Sequence, residues 1–166
     1  AVGTKVFFAG GMIGSSSYSS VVDIYDNSTG LWTTANLSQA RSVLSATAVG
    51  TKVFFAGGFA TVPQTVFSVV DIYDNSTGLW STANLSVARG FLSAATVGSK
   101  VFFAGGFTSN GTGYSSVVDI YDNSTGLWTT DSLSVARGYL SATSVGTKVF
   151  FAGGRNPGFS SVVDIY

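Results

Sequence analysis

One ten-residue phrase, Val2-Gly3-Thr4-Lys5-Val6-Phe7-Phe8-Ala9-Gly10-Gly11, returns almost unchanged from Val49, Val97 and Val145, at offsets of 47, 48 and 48 residues. A second phrase, Asp23 to Trp32, returns at Asp71 to Trp80 and at Asp119 to Trp128, and a last copy covers only Asp164-Ile165-Tyr166. A fixed period of this length means that each unit is one supersecondary element stacked on its neighbours. The chain is one repeat array over residues 1–166, with units at about 1–40, 41–88, 89–136 and 137–166. The first and last are incomplete, leaving about three and a half units.

Each unit reads as four short strands. Val43 to Val49 is rich in Ser, Ala and Thr; Lys5 to Ala9 is apolar and aromatic and stops at a glycine pair; Ser20 to Tyr25 alternates; Leu31 to Leu37 follows the turn Asp26-Asn27-Ser28-Thr29-Gly30. Runs of about five β-formers between Gly, Asn, Asp and Ser are strand signals. Nothing has helical periodicity. Four antiparallel strands at a period between about 40 and 50 predict an all-β chain of propeller blades.

The anchors that carry this reading are Gly10, Gly11, Tyr25, Trp32 and Arg41; then Gly57, Gly58, Tyr73, Trp80 and Arg89; then Gly105, Gly106, Tyr121, Trp128 and Arg137; and finally Gly153, Gly154 and Tyr166. A strand ending in Gly-Gly, then Tyr, then Trp seven positions later, then an Arg opening the next strand, resembles the kelch repeat over the whole chain. The resemblance implies a kelch-type β-propeller with the Ser/Ala-rich strand innermost and the Trp strand outermost. Glycine pairs allow close backbone approach, and Tyr and Trp offer large faces for blade-to-blade packing. The Arg is expected to satisfy carbonyls or carboxylates between blades. Truncating Trp80, read as a buried wedge, is expected to cost about 3–5 kcal/mol.

Composition narrows the chemistry. Formal charge is zero, from eight Lys plus Arg and eight Asp, with no Glu, His or Cys. A nucleic-acid partner is not expected, because nothing supplies the basic excess that displaces phosphate counterions. Disulfides, thiolate catalysis and Cys-based metal sites are excluded, and the commonest general bases are missing. The absence of Cys leaves the redox compartment open. Copper oxidases within the kelch family use His and Cys ligands that this chain does not have. No apolar run reaches the roughly 18 residues of a membrane span.

The charges fall into register: Lys5, Lys52, Lys100 and Lys148; Arg41, Arg89 and Arg137; Asp23, Asp71, Asp119 and Asp164; Asp26, Asp74 and Asp122. Only Asp131 and Arg155 stand outside. An active site needs unlike groups with separated pKa values at one place, and equivalent charges around an array supply symmetry instead. No catalytic residue, metal site or cofactor is expected. Asp23 with Asp26 offers too few oxygens for calcium; Asp26 is expected to hold its turn, and Asp23 to pair with a nearby Arg or Lys.

Variation concentrates between the Gly-Gly and the third strand, in Met12 to Ser19, Phe59 to Ser68, Phe107 to Ser115 and Arg155 to Ser160. Per-repeat differences map to loops on one face, often the binding face. The candidate binding residues are Met12, Ile13, Tyr18, Phe59, Phe67, Phe107, Tyr114, Arg155 and Phe159. Six of the seven asparagines sit in Asn-x-Ser/Thr, namely Asn27, Asn36, Asn75, Asn84, Asn110 and Asn123, and are glycosylation candidates; the competing reading is a plain polar turn. Low surface charge leaves solubility to something else, which favours an extracellular, glycan-coated protein.

Three and a half units fall short of a propeller's four to eight blades. The array is a fragment of a longer chain, a four-blade ring with a defective seam, or a subunit of an assembly; a partial sequence fits best. The expected function is a non-catalytic extracellular structural or adhesive module in a surface or filamentous assembly, with further blades or copies of itself as partners. The alternative is a soluble domain recognising a protein or glycan through the variable loops.

Overall fold

β-Branched and aromatic residues separated by positive-φ glycines leave this chain no route but short antiparallel strands. The computed structural model describes residues 1–14, 16–61, 64–108 and 113–166, and among them there is no helix. The second unit is a four-stranded sheet in which Ser45–Val49, Lys52–Ala56, Val69–Asp74 and Leu79–Asn84 lie side by side in chain order. The third repeats it with Ser93–Val97, Lys100–Ala104, Val117–Asp122 and Leu127–Ser132. The first holds three strands, Lys5–Ala9, Val21–Asp26 and Leu31–Asn36, and lacks the Ser/Ala-rich one. The fourth holds Ser141–Val145, Lys148–Ala152 and Val163–Ile165, and lacks the Trp strand.

The sheets stand side by side as propeller-like blades. Their Ser/Ala-rich strands converge, Ser45–Val49 on Ser93–Val97 and the latter on Ser141–Val145. Small side chains let these inner edges approach closely enough for Thr47 Oγ1 and Thr96 Oγ1 to share a hydrogen bond of 2.8 Å. Register is fixed by matched pairs on each face. Tyr73 lies opposite both Trp80 and Val53, and Tyr121 opposite Trp128 and Val101.

Pleating sends alternate residues to opposite faces of a blade. In Lys52–Ala56, Val53 and Phe55 meet the first blade, while Phe54 and Ala56 meet the third. Phe55 stacks on Trp80 at 5.8 Å, and Phe7 from the first blade reaches Phe55 at 6.1 Å and Tyr73 at 5.3 Å. The next interface repeats these contacts, with Phe54 at 6.3 Å from Phe103 and 5.0 Å from Tyr121. Lys–Tyr bonds cross the same interfaces, Lys5 Nζ donating to Tyr73 Oη at 3.3 Å and Lys52 Nζ to Tyr121 Oη at 3.1 Å.

The Trp anchors are less buried than expected. Trp80 and Trp128, which pack towards the preceding blade, are half-buried, and Trp32 in the first blade is exposed. Trp80→Ala should therefore cost about 2–3 kcal/mol, below the value for a fully enclosed aromatic. Trp32→Ala, with no blade before it, should stay below about 1 kcal/mol. Chemical denaturation of both variants measures the difference, and equal losses would refute the blade-packing role of Trp80.

Candidate binding face

Charge is used for structure first. Each repeated Arg leaves the linker after one blade and enters the next, where it is fully buried. Arg41 Nη2 lies 2.6 Å from Asp71 Oδ2 and 3.0 Å from Phe55 O, and its Nε donates to Gly57 O at 2.7 Å. Arg89 pairs with Asp119, and Arg137 with Asp164 at 2.7 Å. Burial pulls the Arg89 guanidinium down to about 10, with Asp119 opposing the shift. Asp23 has no Arg before it and is exposed.

Asp26, Asp74 and Asp122 each hold a turn. Asp26 Oδ1 accepts from Ser28 Oγ at 2.6 Å, Ser28 N at 2.9 Å and Thr4 Oγ1 at 2.8 Å. These bonds, the Ser28 hydroxyl foremost, hold the carboxyl below its ordinary value, and Ser76 and Ser124 do the same for Asp74 and Asp122. Among the described residues no three acidic side chains gather into a cation-sized cluster.

The variable loops are built differently from plain loops: each contains a small antiparallel hairpin. These are Met12–Ile13 with Ser17–Tyr18, Phe59–Thr61 with Gln64–Val66, Phe107–Thr108 with Gly113–Tyr114, and Arg155–Asn156 with Gly158–Phe159. Linker backbone ties three of them down. Ser42 N donates to Phe59 O at 3.0 Å, Gly90 N to Phe107 O at 3.0 Å, and Gly138 N to Arg155 O at 3.2 Å.

Next to these ties stand Val43, Phe91 and Tyr139, with φ of 47°, 55° and 58°. Left-handed backbone at a residue with a Cβ costs about 1–2 kcal/mol. The offset is a ladder between successive linkers, Phe91 N donating to Val43 O at 3.1 Å and Tyr139 N to Phe91 O at 3.0 Å. Side chains follow the ladder: Phe59 lies 6.4 Å from Phe91, and Phe91 lies 4.4 Å from Tyr139. The row ends at Tyr139, 55% exposed, beside a cavity of about 340 Å³ lined by Tyr139, Gly154, Arg155 and Phe159. Phe159 is 99% exposed and Arg155 is exposed as well, its Nε donating to Pro157 O at 2.9 Å.

The structure therefore joins Phe59, Arg155 and Phe159 to this face and adds residues that the sequence reading missed. Val43 had been placed in a strand, yet the strand starts at Ser45. The available signal was the change from Ser42-Val43 to Gly90-Phe91 and Gly138-Tyr139 just after the anchor Arg. Met12 and Ile13 are exposed, while Tyr18, Phe67, Phe107 and Tyr114 are half-buried, Phe107 packing edge-on against Tyr114 at 5.8 Å.

The sequons separate into two groups. Asn36 and Asn84 are exposed, their Oδ1 accepting from Ser20 and Ser68. Asn27 is exposed too. Asn75 and Asn123 instead lie against the preceding blade, close enough that a Cβ at Gly3 or Gly50 would stand 3.0 or 2.9 Å from their Nδ2. A sugar on either nitrogen would have to displace that turn. Asn110 lies outside the described residues. No family model matches the chain, and no curated protein matches it.

Proposed function

We propose that the chain is a non-catalytic, kelch-type propeller module that acts outside the cell as a structural and adhesive unit, adhering through the face of variable hairpins. The observation that carries this reading is the strained ladder of Val43, Phe91 and Tyr139 ending beside the cavity. Strained backbone gathers at ligand sites and persists only where its surroundings hold it. Aromatic walls at Tyr139 and Phe159 suit the flat face of a sugar or an aromatic side chain, and the Arg155 guanidinium suits a hydroxyl or carboxylate beside it. A non-catalytic role is supported by the employment of the acids, since Asp71, Asp119 and Asp164 neutralise buried arginines and three others hold turns. The exposed Asn36 and Asn84 support glycosylation and an extracellular setting.

Glycan and peptide arrays probed with the wild-type chain and with Phe159→Ala test the proposal. The expected result is a defined set of bound ligands, weakened at least about tenfold by Phe159→Ala, equivalent to about 1.4 kcal/mol, with the melting temperature unchanged. Binding indifferent to Phe159→Ala and to Tyr139→Ala would remove this face from the function.

A further inference from the structure

A groove opens at the outer edge of the junction between the first and second blades, and another between the second and third. Trp80, Ser81 and Thr82 of the second blade line the first groove together with Asn36 and Ser38, which end the blade before; nearly buried Asp71 forms its floor. The other has Trp128, Thr129 and Thr130 with Asn84 and Ser86, over Asp119. The two enclose about 320 and 220 Å³. That is at or below the lower end of small-molecule sites, about 300 Å³, and suits a single ring. Neither groove shares a residue with the cavity beside Tyr139.

Each groove sets an aromatic surface beside hydrogen-bonding groups that the fold leaves unspent. Phe55 and Tyr73 pack on Trp80 at 5.8 and 5.2 Å, and the part of the indole they leave open lines the groove. Asp71 accepts from Ser38 N at 2.9 Å and from Arg41 Nη2 at 2.6 Å, which takes two of the roughly four acceptor positions of a carboxylate. Asn36 Oδ1 accepts from Ser20 Oγ at 3.3 Å, while its Nδ2 and the Thr82 hydroxyl make no hydrogen bond among the described residues. Asp119 and Asn84 are held in the same way by Ser86, Arg89 and Ser68. This set matches a pyranose. The apolar C–H face of the ring suits the negative face of an indole, and its hydroxyls both donate, to the carboxylate, and accept, from the amide and the threonine. An aromatic peptide side chain would cover the indole and leave the polar floor without a partner, which costs free energy.

We infer that the two grooves are carbohydrate subsites, each seating one pyranose ring on Trp80 or Trp128 with a hydroxyl directed at Asp71 or Asp119. Two sources supply this chemistry. One is a free glycan. The other is the first sugar of a glycan linked to Asn36 or Asn84, since each of these asparagines opens an Asn-Leu-Ser sequon and lines the groove completed by the following blade. Only the linked source rests on the glycosylation reading. The hairpin face is not involved, so Phe159→Ala should leave both subsites intact, and this inference and the adhesive reading can fail separately.

Nuclear magnetic resonance of the three indole N–H groups is the test. Trp80 and Trp128 each border a groove, and Trp32, 60% exposed on the first blade, is the internal control. In one arm the 166-residue chain, made bare in a bacterial host, is titrated with glucose, galactose, mannose and N-acetylglucosamine. With at least one of these sugars the Trp80 and Trp128 signals should move saturably while Trp32 stays in place. Thr82 is exposed and lies opposite Asp71 in the strand register, so Thr82→Arg should fill the first groove and abolish the Trp80 shift alone. A melting temperature close to wild type, as expected for a surface substitution, confirms that this variant folds. In the other arm the chain is secreted from a eukaryotic host, occupancy of Asn36 and Asn84 is read by mass spectrometry, and nuclear Overhauser contacts are sought between the first sugar ring and the two indoles. A saturable shift in the bare chain supports the free source, and contacts confined to the glycosylated chain support the linked one. Unoccupied sequons would refute the glycosylation reading and leave the decision to the first arm. Absence of both signals, an equal shift at Trp32, or a Trp80 shift that survives Thr82→Arg would each overturn the inference.

Discussion

An Asp119→Ala chain should lose about 3–5 kcal/mol of folding stability, the usual consequence of leaving one member of a buried ion pair alone. Arg89 is fully buried and Asp119 nearly so. The guanidinium also donates to Phe103 O at 3.0 Å and Val117 O at 2.8 Å, so it cannot swing out to water without releasing the second and third strands of its blade. Asp119 Oδ1 meanwhile accepts from Ser86 N at 3.0 Å, which pins the linker arriving from the blade before. Removal of the carboxylate thus strands a charge and frees a linker amide together. The double variant Arg89→Met/Asp119→Leu should recover much of the loss, because apolar replacement of a whole buried pair is often neutral or stabilising. Asp23→Ala supplies the control. It occupies the same repeat position but is exposed, and its substitution should fall within about 0.5 kcal/mol of wild type. Urea denaturation of the four proteins decides the matter, and a loss at Asp119 no larger than that at Asp23 would show that the ion pair does not hold the blades together.

The same comparison shows what could be seen in the residues and what could not. Blades were legible because the period, the glycine pairs and the turns recur at constant offsets, and each is a local signal. Environment was not. Phe8 and Phe55 sit in the same pentapeptide, and only the presence or absence of a neighbouring blade makes one exposed and the other buried. Trp80 was legible as a packing residue, but its half-exposure was not. The positive φ of Phe91 and Tyr139 was hidden for a related reason. Local propensity opposes it, and the ladder that compensates joins linkers 48 residues apart. Asn27 and Asn75 share one sequon phrase, yet Asn75 is packed on the turn of the blade before it. In every case the missing information is which blade stands next door.

Gly57→Ala and Gly153→Ala put that conclusion to a direct test. Both glycines open a Gly-Gly pair, with nearly equal φ of 64° and 67°. An alanine at either site bears the left-handed strain of about 1–2 kcal/mol. Their surroundings differ. A Cβ on Gly57 would collide with Arg89 O and stand 3.1 Å from Leu92 Cδ2, both belonging to the linker that leads into the third blade. Arg89 O cannot retreat freely, because it accepts from Gly58 N at 3.0 Å and its own side chain is locked in the neighbouring sheet. Overpacking of that kind adds about 1–3 kcal/mol. At Gly153 the nearest atom is Ser160 O at 3.8 Å, an ordinary contact. Gly57→Ala should therefore be the more damaging substitution by about 1–3 kcal/mol, read as a larger fall in denaturation midpoint at unchanged slope. Equal losses at the two sites would mean that backbone conformation alone demands the glycine and that the following linker exerts no pressure on it.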